Sequence, residues 1–178
     1  PFDPFGAEAD ALIEEIDAIP FPARDLIDLR AYMGIWKENH GMSVVNIITS
    51  RGCPYGCKWC SKPIFGNTFR QRSVPNVIGE VDMIDRKFHP DRLWFSDDIL
   101  PMRKRWVMDF SDEMEKRDVD FECLARVDLL DGEIIDALSR GGCKRVYLGV
   151  ESGSQRVLDL MNKGTRIEKI REVSPLLK

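Results

Sequence analysis

Cys53, Cys57 and Cys60 stand within eight residues, in the run Arg-Gly-Cys-Pro-Tyr-Gly-Cys-Lys-Trp-Cys. Three thiolates can hold three irons of a four-iron cluster, and with no fourth cysteine close by the remaining iron stays open to a small molecule. Such a site is reactive rather than sealed. Gly52 and Gly56 accept positive φ, so the loop can curl and aim its sulfurs at one point, and Pro54 stiffens the curl. A structural zinc site is the first rival reading, but it wants four closed ligands, usually from paired knuckles. Cys123 and Cys143 stand alone, and the only histidines are His40 and His89. A disulfide framework is the second rival. It suits a small secreted chain, not 178 residues with an odd five cysteines.

The elements that must carry this loop follow from residue 44 onward, where strand and helix patterns alternate. Val44 to Thr49 is an apolar, β-branched run that predicts a strand buried on both faces. Ser73 and Pro75 mark a helix start, and Val77, Ile78, Val81, Ile84 and Phe88 recur at helical spacing. Leu93 to Phe95 predicts the second strand, Arg103 to Lys116 a helix, and Val119 to Leu124 the third strand. Asp131 caps a helix bearing Ile134, Ile135 and Leu138, which Gly141 and Gly142 terminate. Arg145 to Val150 is the fourth strand. Ser154 caps a short helix ended by Gly164, and Thr165 with Glu168 forms a capping box for the last helix. The alternation implies an α/β fold of parallel strands with right-handed crossovers, a partial parallel (β/α) barrel or an open sheet.

Residues 1–43 read as an N-terminal arm and 44–178 as the core. In the arm, Glu8 to Ile19 can form an amphipathic turn set with Leu12, Ile13 and Ile16 on one face, broken by Pro20 and Pro22. The remainder through Gly41 gives weak signals.

In a parallel barrel, chemistry gathers at the carboxyl ends of the strands. Cys53 follows the first strand, Asp97 and Asp98 end the second, Arg126 follows the third, and Glu151 with Ser152 ends the fourth. Four strand ends thus each deliver a charged or metal-binding residue to one rim. Each has a bland reading as well. Asp97 and Asp98 can be helix caps, Arg126 and Glu151 a structural ion pair, and Lys163 a favourable partner of a helix C-terminus. Trp59 reads as a packing residue beside the cluster, and Cys123 and Cys143 as buried small hydrophobes.

Bulk properties exclude several classes of function. With 43% apolar and 31% charged residues the composition is that of an ordinary globular domain. A net charge of −4 and a pI near 5.3 argue against a broad nucleic-acid or anionic-membrane surface. Arg70, Arg72 and Arg103 to Arg105 read as solvated charges. No apolar run reaches the length of a membrane span and no signal-peptide pattern is present, so the cytoplasm, where clusters survive in reducing surroundings, is the expected compartment. The chain begins at Pro1 without an initiator methionine and ends within a helical pattern, and is expected to be a piece of something longer.

Cys53-Pro-Tyr-Gly-Cys57-Lys-Trp-Cys60, directly after the first strand and with an aromatic before the last cysteine, resembles the radical S-adenosylmethionine superfamily. The resemblance continues through Phe95-Ser-Asp-Asp98, Ala125-Arg-Val-Asp128, Gly149-Val-Glu-Ser-Gly153 and Met161-Asn-Lys-Gly164, and is greatest to members with a cobalamin-binding domain ahead of the barrel. It covers about residues 44–178, and Pro20-Phe-Pro-Ala-Arg24 is similar to the connector between the two domains. It implies about four of six strand–helix units of the radical SAM barrel.

That resemblance also implies a [4Fe-4S] cluster on Cys53, Cys57 and Cys60, whose open iron binds the amino and carboxylate groups of S-adenosylmethionine. Reductive cleavage would give a 5′-deoxyadenosyl radical, with the cofactors doing the hard step and the protein supplying position. Ser96, Asp97 and Asp98 stand where many members carry Gly-Gly-Glu, which touches the methionine amino group. Glu151 matches a position that holds ribose hydroxyls, and Lys163 one that meets the methionine carboxylate. Arg126 joins the same polar rim, and Trp59 is counted with the cofactor-binding set. The implied reaction is cobalamin-dependent methylation or rearrangement of an unactivated carbon, with cobalamin held by a domain outside this chain. Its partners are a small-molecule or biosynthetic-intermediate substrate and an electron donor such as flavodoxin or ferredoxin. A methylthiotransferase-like or cobalamin-independent radical enzyme is the alternative within enzymes. A non-catalytic iron–sulfur or zinc module is the alternative outside them.

Overall fold

The computed structural model describes residues 13–60 and 68–177. In chain order they form α1 (Leu29–His40), β1 (Val44–Ile47), β2 (Ser50–Arg51), β3 (Arg70–Gln71), α2 (Val74–Phe88), β4 (Arg92–Phe95), α3 (Lys104–Met114), β5 (Phe121–Ala125), α4 (Gly132–Arg140), β6 (Cys143–Leu148), α5 (Gln155–Leu160) and α6 (Ile167–Val173). The main sheet has four strands in the order β1-β4-β5-β6, all parallel, as expected for an incomplete (β/α) barrel.

Alternation along the strands sets the two faces of the sheet. Val45, Ile47, Leu93, Phe95, Phe121 and Cys123 point toward α2, α3 and α4 and join the buried core with Val81, Ile84, Val107, Phe110 and Leu138. Phe95, Phe110 and Phe121 meet edge-on, with ring centroids 5.2 to 5.6 Å apart, a favourable aromatic geometry at the centre of that layer. The opposite parity carries Asn46, Trp94, Glu122 and Tyr147. A cavity of about 1080 Å³ opens on that inner face, walled on its far side by Tyr32 and Trp36 of α1. β1 is therefore buried on one face only, not on both: Asn46 and Ile48 are exposed.

Local capping chemistry explains the boundaries that were predicted well. Ser73 accepts a hydrogen bond from the Asn76 amide at 3.3 Å, and Asp131 one from the Ile134 amide at 2.9 Å. Two other caps differ from expectation. Ser154 precedes α5 without a side-chain cap, and Thr165 with Glu168 forms no capping box. The Thr165 hydroxyl instead donates to Asp128 at 2.8 Å, and Gln155 accepts from the Ile167 amide at 3.0 Å, so tertiary partners replace the local ones.

The arm is more ordered than its pattern implied. Residues 1–12, and with them the part of the predicted turn set from Glu8 through Leu12, lie outside the described residues. Ile16–Ala18 is a single 3₁₀ turn, and Leu29–His40 is a helix capped by Asp28 and closed by Gly41 at φ 80°. Arg24 reaches across to Glu80 at 2.7 Å and donates to the Asn46 carbonyl at 2.8 Å. Glu80 is 1% exposed and also pairs with Arg72 at 2.5 Å, so Arg72 is an anchored, half-buried cation rather than a solvated one. Among the described residues no helix is long and apolar enough to cross a membrane.

Candidate functional site

A two-stranded antiparallel ladder, Ser50 with Gln71 and Arg51 with Arg70, closes the base of the cysteine loop just beyond β1. Gly52 sits at φ 86°, where a side chain would be strained, and turns the chain into the loop. All three cysteines are free thiols; Cys57 is buried, Cys53 half-buried and Cys60 exposed. Burial pushes the Cys53 thiol above its ordinary value, opposed by the Tyr55 amide and reinforced by the charge of Asp98 nearby. Among the described residues no three His, Cys, Asp or Glu side chains stand close enough to share one metal ion. A cluster asks for less convergence than a lone ion, because each thiolate binds its own iron.

Contacts from distant segments hold the loop. The Lys58 amide donates to the Met161 carbonyl at 2.9 Å, and Asn162 donates to the Gly56 carbonyl at 2.9 Å. A Cβ at Gly56 would meet that Asn162 amide nitrogen at 3.3 Å, so the loop and the turn after α5 lie against each other. Arg126, 3% exposed, stacks its guanidinium 3.7 Å from the Tyr55 ring centroid and donates to Cys57 Sγ at 3.7 Å. Its remaining contacts go to Asp128 at 3.0 Å, the Lys163 carbonyl at 2.5 Å and Thr165 at 3.4 Å. Arg126 thus pairs with Asp128, not with Glu151.

The two aspartates after β4 divide. Asp97 keeps the parity of Leu93 and Phe95 and is 2% exposed. It accepts from the Thr49 amide and hydroxyl, both at 3.0 Å, and from the Ser50 hydroxyl, which ties the end of β4 to the segment entering the cysteine loop. Burial outweighs these hydrogen bonds and raises its carboxyl to about 6. Asp98 has the other parity, is exposed, and makes no hydrogen bond or ion pair among the described residues. Partial desolvation raises it too. Ser96 accepts from Asn46 at 3.1 Å on the inner face.

Past β6, Lys163 is 6% exposed and its amine lies 3.0 Å from Glu151 Oε1. Trp59 of the cysteine loop presents its ring 5.9 Å from that amine and is itself exposed at 53%. Glu151 holds a left-handed φ of 66°, a strained backbone for a residue with a side chain. The structure therefore brings the cysteine loop, Trp59, Asp98, Arg126, Glu151 and Lys163 to the carboxyl edge of the sheet, and keeps Asp97 inside as a tether. Gly149, Tyr55, Asp128 and Asn162 had no assigned role in the sequence reading, and Thr165 only that of a helix cap. Each lies in or beside one of its motif strings, which was the available signal. Cys123 is fully buried as expected, whereas Cys143 is only partly so and donates from Sγ to the Arg145 carbonyl at 3.5 Å.

The family model of the Radical SAM superfamily matches residues 47–178. An uncharacterized methyltransferase of Pyrococcus horikoshii is 32% identical over 156 residues, covering 86% of this chain and 33% of its own length. This chain spans about a third of the length of the curated relatives it matches. The radical S-adenosylmethionine methyltransferase TsrM of Kitasatospora setae, solved with cobalamin and a [4Fe-4S] cluster bound, superposes with a TM-score of 0.67 at 19% identity, covering 76% of this chain and 28% of that one. OxsB, a cobalamin-dependent S-adenosylmethionine radical enzyme, superposes with a TM-score of 0.62 at 26% identity, covering 75% of this chain and 22% of that one.

Proposed function

This chain belongs to the radical SAM superfamily, and on that premise we propose that the whole protein is an S-adenosylmethionine-cleaving enzyme. Its reaction, with cobalamin bound elsewhere in the polypeptide, methylates or rearranges an unactivated carbon. One observation carries the reading: the three-cysteine loop, the open carboxylate of Asp98 and the pair formed by buried Lys163 with Glu151 meet at one sheet edge.

The donor set fits a [4Fe-4S] cluster. Its thiols are unpaired and lie on one loop, and Cys57 already accepts a hydrogen bond from a buried cation, which suits a thiolate. When bound by Cys53, Cys57 and Cys60, the cluster supplies the electron that breaks a sulfonium carbon–sulfur bond. The chain's own residues bind and orient the sulfonium compound. Asp98, with no protein partner among the described residues, accepts from the methionine ammonium. Lys163 turns its amine to the methionine carboxylate, and Glu151, released from Lys163, accepts from the ribose hydroxyls. Ser96 adds a hydroxyl to the same edge, and Trp59 forms a wall that excludes water. Asp97 and Arg126 act through the loop they hold.

A small-molecule substrate fits the inner-face cavity, where Glu122, Arg145 and Tyr147 offer polar contacts beside Trp94. A low-potential donor such as flavodoxin or ferredoxin supplies the electron. Methylation is favoured by the naming of the Pyrococcus relative as a methyltransferase, and cobalamin dependence by the likeness to OxsB. The test is the whole protein, reconstituted anaerobically with iron and sulfide, supplied with cobalamin and incubated with S-adenosylmethionine and reductant. Formation of 5′-deoxyadenosine is expected, joined by S-adenosylhomocysteine if methyl transfer occurs. Failure to form either product from a fully loaded protein overturns the proposal.

A further inference from the structure

Arg126 is the one cation among the described residues that hydrogen-bonds to a cysteine of the loop, through Nη1 to Cys57 Sγ at 3.7 Å. Its donors are otherwise taken up inside the protein. Nε and Nη2 face Asp128, and Nη2 also meets the Lys163 carbonyl and Thr165. One face of the guanidinium is covered by Tyr55. A group so occupied cannot turn to a ligand without abandoning a buried network, and Arg126 is 3% exposed. What it does offer outward is a fixed positive charge and an N–H aimed at sulfur.

Resting on the cluster reading above, we propose that Arg126 sets the reduction potential of the cluster through Cys57, with Asp128 as the counter-charge that moderates it. Adding an electron makes a thiolate-ligated cluster more negative. A buried cation and an N–H···S bond favour that reduced state, because low local dielectric keeps their influence undiluted. Hydrogen bonds to cluster sulfurs and the shell around them are established levers on such potentials. The guanidinium fork matters as well as the charge, since only a planar group can stack on Tyr55 while donating in its own plane to Cys57, Asp128 and the Lys163 carbonyl.

The test is redox potentiometry, followed by electron paramagnetic resonance, on the anaerobically reconstituted whole protein without S-adenosylmethionine. Arg126→Gln should move the potential to more negative values than wild type. Asp128→Asn, which leaves Arg126 in place and removes its counter-charge, should move it to less negative values. An unchanged potential in both variants overturns the proposal, as does a shift of either in the opposite sense. If Arg126→Gln takes up no iron, Asp128→Asn decides alone by the same criterion. A wild-type protein that forms no cluster would instead remove the reading of the cysteine loop, a result separable from unchanged potentials in loaded variants.

Discussion

Lys163 and Glu151 meet at 3.0 Å directly over Gly149, where an added Cβ would come within 2.9 Å of the Lys163 amine and 3.1 Å of the Glu151 carboxylate. The pair is held in place by chain geometry on both sides. Glu151 adopts a left-handed φ that costs about 1 kcal/mol or more, and Lys163 follows Asn162, also at positive φ. Strain of this kind persists only where its surroundings over-determine it. Lys163→Met should weaken S-adenosylmethionine binding by roughly tenfold or more, about 1.4 kcal/mol. Gly149→Ala should weaken it several-fold with the circular dichroism spectrum unchanged. Equilibrium dialysis of labelled S-adenosylmethionine against the reconstituted whole protein measures both, and wild-type affinity in both variants would contradict the assignment.

Asp98 should matter to ligand and not to fold. It is exposed and has no partner among the described residues, so Asp98→Asn should change the melting temperature little. Loss of a charge-assisted hydrogen bond to an ammonium should cost about 1.5–3 kcal/mol of binding. The same dialysis, paired with thermal melting, separates the two effects.

Asp97 should show the reverse. Asp97→Ala strands the Thr49 amide, the Thr49 hydroxyl and the Ser50 hydroxyl in a buried place, at a cost of about 1–3 kcal/mol or more. Its carboxyl also gives stability a definite pH dependence. Burial raises it from 3.8 to about 6 in the folded state, so between those values the folded chain binds more protons than the unfolded one. Its contribution therefore improves as the pH falls from about 6 toward 3.8, and is least favourable above about 6. Asp91 runs the other way. Its hydrogen bonds to Lys37 and Ser43 hold it well below the carboxylate range, and its contribution is lost only on further acidification. Urea midpoints at pH 7 and pH 5 should show wild type gaining on Asp97→Asn at the lower pH; an unchanged difference would refute this.

Glu80 is the buried anion shared by Arg24 and Arg72, and it fastens the N-terminal arm to α2. Glu80→Ala leaves two guanidinium groups without their counter-charge, at a cost of about 3–5 kcal/mol. Protease nicking should appear between Phe21 and Asp28 in the variant and be absent from wild type under the same conditions. Equal resistance would mean that the arm is held by other contacts.

Much of the fold was legible because its signals are local. Caps such as Ser73 and Asp131, the helical spacing from Val77 to Phe88 and the apolar strand cores need only near neighbours in sequence. α1 escaped because it buries only Met33, so no apolar stripe marks it, although Asp28 and Gly41 stood at its ends. The β2–β3 ladder escaped because two-residue strands separated by the whole cysteine loop have no pattern of their own. The split between Asp97 and Asp98 was in principle readable, since the two-residue period through Leu93 and Phe95 sends Asp97 to the buried face. Of the partners of Arg126 only Asp128, two residues on, was within local reach. Cys57, Tyr55, Lys163 and Thr165 reach it from loops far away in sequence, and the nearby choice, Glu151, belongs to Lys163.

The central claim is that Cys53, Cys57 and Cys60 hold a cluster with one iron open to S-adenosylmethionine. Electron paramagnetic resonance of the reduced, reconstituted whole protein, recorded before and after addition of S-adenosylmethionine, tests it most directly. A four-iron signal that changes on addition, and that is lost in Cys57→Ser, is the predicted result. A signal indifferent to S-adenosylmethionine, or metal that survives Cys57→Ser, would contradict the account.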